Sequence, residues 1–279
     1  MYSVKETMEK LSSNCTPNAD EYLNEADGLI YCKTCHTPRQ IRIPVNNGKS
    51  FIRPPVLCKC LKEQSAEKQK RNEERQHMET VSRLKNTGLC VPALKSCTFE
   101  NDDGDVPQMS KARKYVENFS QFEKSGEGLL LWGGTGSGKT FMAASIANAL
   151  IDREVSVVMT DFARILMQLT GRNEEEKNRC YERIERSRLL IIDDLGIERN
   201  TGFATEQIFS VIDYRIKSSK PMIITTNMRI SDMKNTPNEA YRRIYERILE
   251  RCIPIMVTGT DKRSSKTAEN YHSFRSLLD

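Results

Sequence analysis

Residues 129–141 read LLLWGGTGSGKTF, and the chain continues as MAASIANALI to residue 151. An apolar segment enters a glycine-rich turn with the spacing Gly133-x-x-x-x-Gly138-Lys139-Thr140, and an apolar, helix-forming segment leaves it. Strand, loop and helix in that order are the context that gives this spacing its chemical meaning. Gly133, Gly134, Gly136 and Gly138, with Thr135 and Ser137 between them, let successive backbone N–H groups turn toward one anion. The helix N-terminus adds its partial positive charge. Lys139 is expected to reach the β and γ phosphates of ATP, and the Thr140 hydroxyl to ligate Mg²⁺. The stretch therefore commits residues 89–279 to an α/β nucleotide-binding domain.

Further strands follow along the chain. VSVVMT at 155–160 reads as the second, and RLLIIDDLG at 188–196 as the third, ending in Asp193-Asp194. Four apolar residues followed by acid is the Walker B form. Asp193 is expected to hold Mg²⁺ through water, and Asp194 to orient or deprotonate the attacking water. KPMIITTNM at 220–228 reads as the fourth strand, tipped by Asn227. A polar group there either sits beside the γ-phosphate or caps a turn. YRRIYERILERCIPIMVTG at 241–259 reads as a basic helix and a fifth strand. Arg243, Arg247 and Arg251 recur every four residues, with Glu239, Glu246 and Glu250 nearby, which fits either a salt-bridged surface helix or an arginine finger. The basic residues of 162–188, such as Arg164, Arg172, Lys177 and Arg183, are either DNA contacts or the solvated face of a charged helix.

Ahead of this domain, residues 62–88 contain one glycine, at position 88, no proline and interleaved charge, as expected of a helical linker that stops at Gly88. Residues 1–61 hold Cys32-x-x-Cys35 and Cys58-x-Cys60, separated by short β segments around an NNGK turn. Four thiolates from two tight turns suit tetrahedral zinc. A redox pair is disfavoured, because no βαβ pattern surrounds CKTC and a second pair waits downstream. His36 reads as an exposed neighbour of the site.

The whole composition agrees with this division. The chain has 279 residues, 29% charged and 38% hydrophobic, which is room for one ordinary domain and a small one. Nine cysteines, an odd number without an export signal, argue for metal ligation and buried thiols over a disulfide framework. No apolar run reaches membrane-spanning length, so a cytoplasmic location is expected. The net charge of +5 permits nucleic-acid contact without demanding it.

Taken together, LLLWGGTGSGKTFMAASIANALI, LLIIDDLGIE, MIITTN and the ERILERC helix, with GLCVPALKSCTFEND leading in, resemble an AAA+ ATPase. Within that superfamily, residues 84–263 are similar to bacterial helicase loaders of the DnaC/DnaI type and to the related IstB transposition ATPases. The resemblance implies a five-stranded parallel sheet flanked by helices, no C-terminal lid, and an N-terminal zinc domain that grips the replicative helicase. Cys32, Cys35, Cys58 and Cys60 occupy the place of that zinc site. Residue by residue, it implies phosphate contacts from Gly133 to Thr140, Mg²⁺ at Asp193, catalysis at Asp194 and sensing at Asn227. It also implies a finger at Arg251, with Arg247 second, and a γ-phosphate sensor at Arg263. GTDKR carries Asp261 where the family places Ser, a departure at the Arg263 segment. The implied activity is slow ATP hydrolysis by subunits that associate through the ATP site. The implied partners are a DnaB-type hexameric helicase and single-stranded DNA. The alternatives are an IstB-like transposase helper, and a zinc-dependent DNA-binding module with a nearly inactive nucleotide switch.

Overall fold

A computed structural model describes residues 16–45, 48–170, 173–196 and 202–259. The chain divides into two compact units, residues 1–77 and 78–279. Cys15, Arg172, Glu198, Asp261, Arg263 and the segment read as lidless lie outside the described residues.

The first unit contains two antiparallel hairpins. Strands β1 (Glu21–Leu23) and β2 (Ile30–Cys32) form one, and β3 (Ile43–Val45) and β4 (Ser50–Ile52) form the other. Its described buried residues are Ile30, Cys32, Gln40 and Cys58. Helix α1 (Lys59–Gly88) begins in this unit and ends, as expected, at Gly88. Gly88 is the only buried residue of its 30. Exposed pairs such as Glu67–Arg71 at 3.1 Å line its surface, and such pairs add only about 0.3–0.5 kcal/mol each.

In the second unit, α1 packs its last turns through Val81 and Leu84 against the core, and Lys85 Nζ meets Asp152 at 2.8 Å. After a 3₁₀ turn at Pro92–Ser96, the chain forms α2 (Met109–Glu117), α3 (Phe119–Ser125), β5 (Gly128–Trp132) and α4 (Lys139–Ile151). It continues through β6 (Val157–Asp161), α5 (Phe162–Thr170), α6 (Glu174–Arg186), β7 (Leu189–Leu195) and α7 (Gly202–Lys217). It ends with β8 (Met222–Thr226), α8 (Ile230–Lys234), α9 (Glu239–Arg251) and β9 (Cys252–Met256).

The five strands β5 to β9 form one parallel sheet in the order β6-β7-β8-β5-β9. Strand side chains alternate between faces. Leu129, Leu131, Leu189, Ile191 and Ile223 join the core under α2, α3 and α4. Leu130, Leu190, Ile192, Met222 and Ile224 join the core under α5, α6, α7 and α9. Both faces are thus covered, as a parallel sheet requires. Pro254 fits within β9 because β9 is an edge strand, where a missing N–H leaves no ladder bond unmade.

The order has one decisive consequence. β8 lies between β5, which feeds the glycine loop, and β7, which carries Asp193-Asp194 immediately before its last residue, Leu195. Residues at the tip of β8 can therefore touch both.

Candidate functional site

At the carboxyl end of β5 the loop folds back on β9. A side chain at Gly133 would place its Cβ 2.3 Å from the Val257 carbonyl oxygen, so only glycine fits. Gly138 caps α4 at φ 92°, in the left-handed region that favours glycine. Lys139 opens α4 and is 5% exposed. Its Nζ donates to the carbonyl oxygens of Gly133 at 3.1 Å and Gly134 at 2.7 Å, and to Asn227 Oδ1 at 2.8 Å. Among the described residues, the buried Ser137 Oγ has no hydrogen-bond partner. A helix N-terminus, a buried ammonium and an unmatched hydroxyl in one loop are the donor set a polyphosphate needs.

The acidic strand closes the other side. Thr140 Oγ1 donates to Asp193, at 3.1 Å to Oδ1 and 3.0 Å to Oδ2. Thr225 Oγ1 donates to Asp193 Oδ1 at 2.6 Å and accepts from the Asp194 backbone N–H at 2.9 Å. The β7–β8 register slips between Ile192 and Leu195, and Asp194 sits at φ 55° inside this irregularity. An extra residue in a strand re-aims its side chains and is frequent beside active sites. Burial holds the Asp193 carboxyl above the usual carboxylate range, against the pull of the Thr225 hydroxyl. A hydroxyl and a carboxylate, both hard oxygen donors, suit Mg²⁺, and the cation would offset that burial. Thr225 has no part in the motif as read from the sequence. Its role depends on the strand pleat and on β8 being next to β7.

The arginines lie elsewhere. Cys252 pairs with Gly128 and Met256 with Trp132, so Arg251 sits at the start of the sheet and the glycine loop at its end. A five-residue strand spans about 15 Å, which keeps Arg251 from the site of its own chain. Arg247 is paired within the chain, with Asp213 at 3.7 Å and Glu250 at 3.8 Å. Of the basic residues singled out in 162–188, Arg164 pairs with Asp161 at 3.2 Å and Lys177 with Glu174 at 2.7 Å. Arg183 donates to the Cys90 sulfur at 3.6 Å.

In the first unit, the sulfurs of Cys32, Cys35, Cys58 and Cys60 all lie within 4.8 Å of one another. Cys32 ends β2, and Cys35 occupies the following turn. The second pair was expected in a tight turn like the first. Instead it straddles the start of α1, where Cys58 precedes the first helical residue and Cys60 follows it. One intervening residue suffices there, bringing the two sulfurs to 3.3 Å, and Cys32 and Cys60 lie 3.6 Å apart. Tetrahedral zinc with bonds of about 2.3 Å needs sulfurs about 3.8 Å apart, so the set fits that ion.

The electrostatics agree. The Thr37 hydroxyl, 3.1 Å away, draws the Cys35 thiol down to about 5. The hydrogen bond with the Cys58 sulfur pushes Cys60 up to about 12. Four thiolates in mutual contact repel one another unless a divalent cation lies between them. Arg39 adds positive charge, its guanidinium 3.8 Å from Cys32 Sγ and paired with Asp20 and Glu21. His36 Nδ1 faces the Tyr22 hydroxyl at 3.4 Å, outside the sulfur cluster. Of the remaining described cysteines, Cys180 and Cys252 are buried, Cys97 is half-buried and Cys90 is exposed.

Two expectations follow from these geometries. Stripping zinc with a zinc-selective chelator in excess Mg²⁺ should lower the melting of the first unit and leave ATP affinity within about twofold; parallel loss of ATP binding would contradict the separation of the sites. Thr225→Val strands the Asp194 N–H without its acceptor, a loss of about 1–3 kcal/mol. It should weaken the Mg²⁺-dependent part of ATP binding about tenfold, with Thr225→Ser restoring it. Equal Mg²⁺ titrations for the two variants would remove Thr225 from the site.

The sequence model of the family described as "IstB-like ATP binding protein" matches residues 57–270. The replicative helicase loader DnaC of Escherichia coli K12 is 28% identical over 243 residues, covering 83% of this chain and 96% of DnaC. The replicative helicase loader DnaI of Bacillus subtilis is 25% identical over 265 residues, covering 87% of this chain and 81% of DnaI. A crystal structure of DnaI superimposes with a TM-score of 0.50 at 26% identity, covering 62% of this chain and 93% of the other. With the glycine loop, the acidic strand and the five-stranded sheet in place, the chain belongs to the IstB-like ATP-binding proteins, an AAA+ family that includes the DnaC and DnaI helicase loaders.

Proposed function

We propose that the protein is an ATP-dependent loader of a replicative, DnaB-type hexameric helicase onto single-stranded DNA. The observation that carries this reading is the pairing of two features in one chain. A glycine loop stands beside the Lys139–Asn227 and Thr140–Asp193 contacts, and a small cysteine-clustered unit precedes them in the chain. The length of the match to helicase loaders, at 83% and 87% of this chain, supports it.

In this reading ATP binds across the loop from Gly133 to Thr140. Mg²⁺ held by Thr140 and Asp193 would neutralise phosphate charge during cleavage. Lys139 and Asn227 already share a hydrogen bond at 2.8 Å, so a γ-phosphate drawing on Lys139 changes the partner of Asn227. Asp194 orients the attacking water. Its carboxylate is one methylene shorter than a glutamate, and turnover is slow. Arg251 serves the site of a neighbouring copy, with Arg247 as its reserve, and subunits associate side by side through ATP. Arg263 senses the γ-phosphate within its own chain. Zinc holds Cys32, Cys35, Cys58 and Cys60 together. The unit it shapes docks the helicase through apolar side chains left at the surface, among them Leu23 at 55% and Leu57 at 54% exposed. ATP acts on the partner through its different affinity for two states of the assembly, and hydrolysis releases the helicase.

The test is a crosslinked pull-down of the tagged protein from its host with ATP present, read by mass spectrometry. The replicative helicase should be recovered, and lost on Cys58→Ser. Recovery of a transposase without helicase would move the protein to the transposition helpers of the same family.

A further inference from the structure

The hairpin β3–β4 has two unlike faces. Residues 41–45 read IRIPV and residues 49–53 read KSFIR. The register pairs Ile43 with Ile52, Pro44 with Phe51 and Val45 with Ser50. With the two-residue period of a strand, one face carries Ile41, Ile43, Val45 and Ile52. The other carries Arg42, Pro44, Lys49, Phe51 and Arg53. Phe51 is 43% exposed, and the Arg42 guanidinium lies over its ring at 4.0 Å.

The charge of this segment is one-sided. From Gly28 to Lys62 the chain has seven Lys and Arg residues and no Asp or Glu. Among the described residues Arg39 is paired with Asp20 and Glu21, whereas Arg42, Lys49 and Arg53 face no carboxylate. The contrast with Arg164 and Lys177 of the second unit, each paired with an acid on its own helix or strand tip, is direct. Arg42 on the Phe51 ring, with Lys49 and Arg53 on the same hairpin face and no carboxylate opposite them among the described residues, forms a local field that attracts polyanions.

We propose that the Arg42–Phe51 face of this hairpin binds single-stranded nucleic acid. A base stacks on the outer side of the Arg42 guanidinium, whose inner side rests on the Phe51 ring, and Lys49 and Arg53 meet the backbone phosphates. Aromatic platforms flanked by cations are how proteins hold single strands with little regard to sequence, and guanidinium planes accept stacked bases equally. The spacing agrees: successive side chains on one strand face lie about 6.6–6.8 Å apart, comparable to successive phosphates of an extended strand. A protein interface is the less fitting occupant of this face. Lysine is depleted in such interfaces and apolar area is concentrated at their centre, and the larger apolar set, Ile41, Ile43, Val45 and Ile52, lies on the opposite face. The inference rests on the loader reading for its ligand, single-stranded DNA, and adds the site; its test needs neither ATP nor a helicase.

The experiment uses the whole 279-residue chain and fluorescently labelled oligo(dT), followed by anisotropy without nucleotide. Phe51→Ala and Arg42→Ala should each weaken binding about tenfold, at unchanged zinc content and ATP affinity. Replacing Lys49 and Arg53 together by Gln should reduce the slope of log affinity against log salt by about 1.4. Oligonucleotides carrying photoreactive uracil should crosslink within residues 42–53. Wild-type affinity in Phe51→Ala with crosslinks confined to residues 78–259 would overturn the proposal. So would a Phe51→Ala variant that keeps DNA and loses a purified replicative helicase, which would assign the face to a protein. Helicase recovery by the unaltered chain in the pull-down does not depend on where DNA binds, so the two readings fail separately.

Discussion

Everything at the nucleotide site depends on β8 lying between β5 and β7. Asn227, just past its end, touches Lys139 of the glycine loop. Thr225, two residues earlier, holds Asp193 by its carboxylate and Asp194 by its backbone N–H. The glycine loop on one side and the acidic strand on the other are thereby referred to one fully buried strand. The Asp194 backbone at φ 55° is costly for a residue with a side chain, and such strain persists only where surrounding bonds over-determine it. The Thr225 hydroxyl supplies one of those bonds.

The first unit obeys a different constraint. Its described residues bury only Ile30, Cys32, Gln40 and Cys58, two of them cysteines of the cluster. Small units without a sufficient apolar core need a staple, such as a disulfide or a metal. Four thiols gathered at the end of β2 and the start of α1 provide the metal option and anchor the helix at its first turn.

Much of this was legible in the residues. The loop from Gly133 to Thr140 needs only spacing and context, and each apolar run read as a strand became one within about two residues of its ends. Asp193 and Asn227 came with those strands because one lies near the carboxyl end of β7 and the other directly follows β8. Thr225 was not legible, because MIITTN does not say which threonine faces β7 until strand order and pleat are known. Nor was the backbone slip at Asp194, which is a property of two paired strands. The cations of 162–188 illustrate the converse. Arg164 and Lys177 meet acids three residues away, a pairing visible in the sequence that argues for a solvated, self-satisfied surface. The second cysteine pair departed from expectation because a charge-rich helix begins at residue 59 and takes the C-x-C into its first turn.

Nucleotide state matters to a partner only if the two binding events share free energy, and that sharing is reciprocal. The most direct measurement is the dissociation constant of the purified replicative helicase for this protein, saturated first with ATP and then with ADP. The account predicts tighter binding with ATP, by a factor of about ten, and a matching increase in ATP affinity when helicase is added. Equal constants for the two nucleotides would contradict it, whatever the ATPase rate.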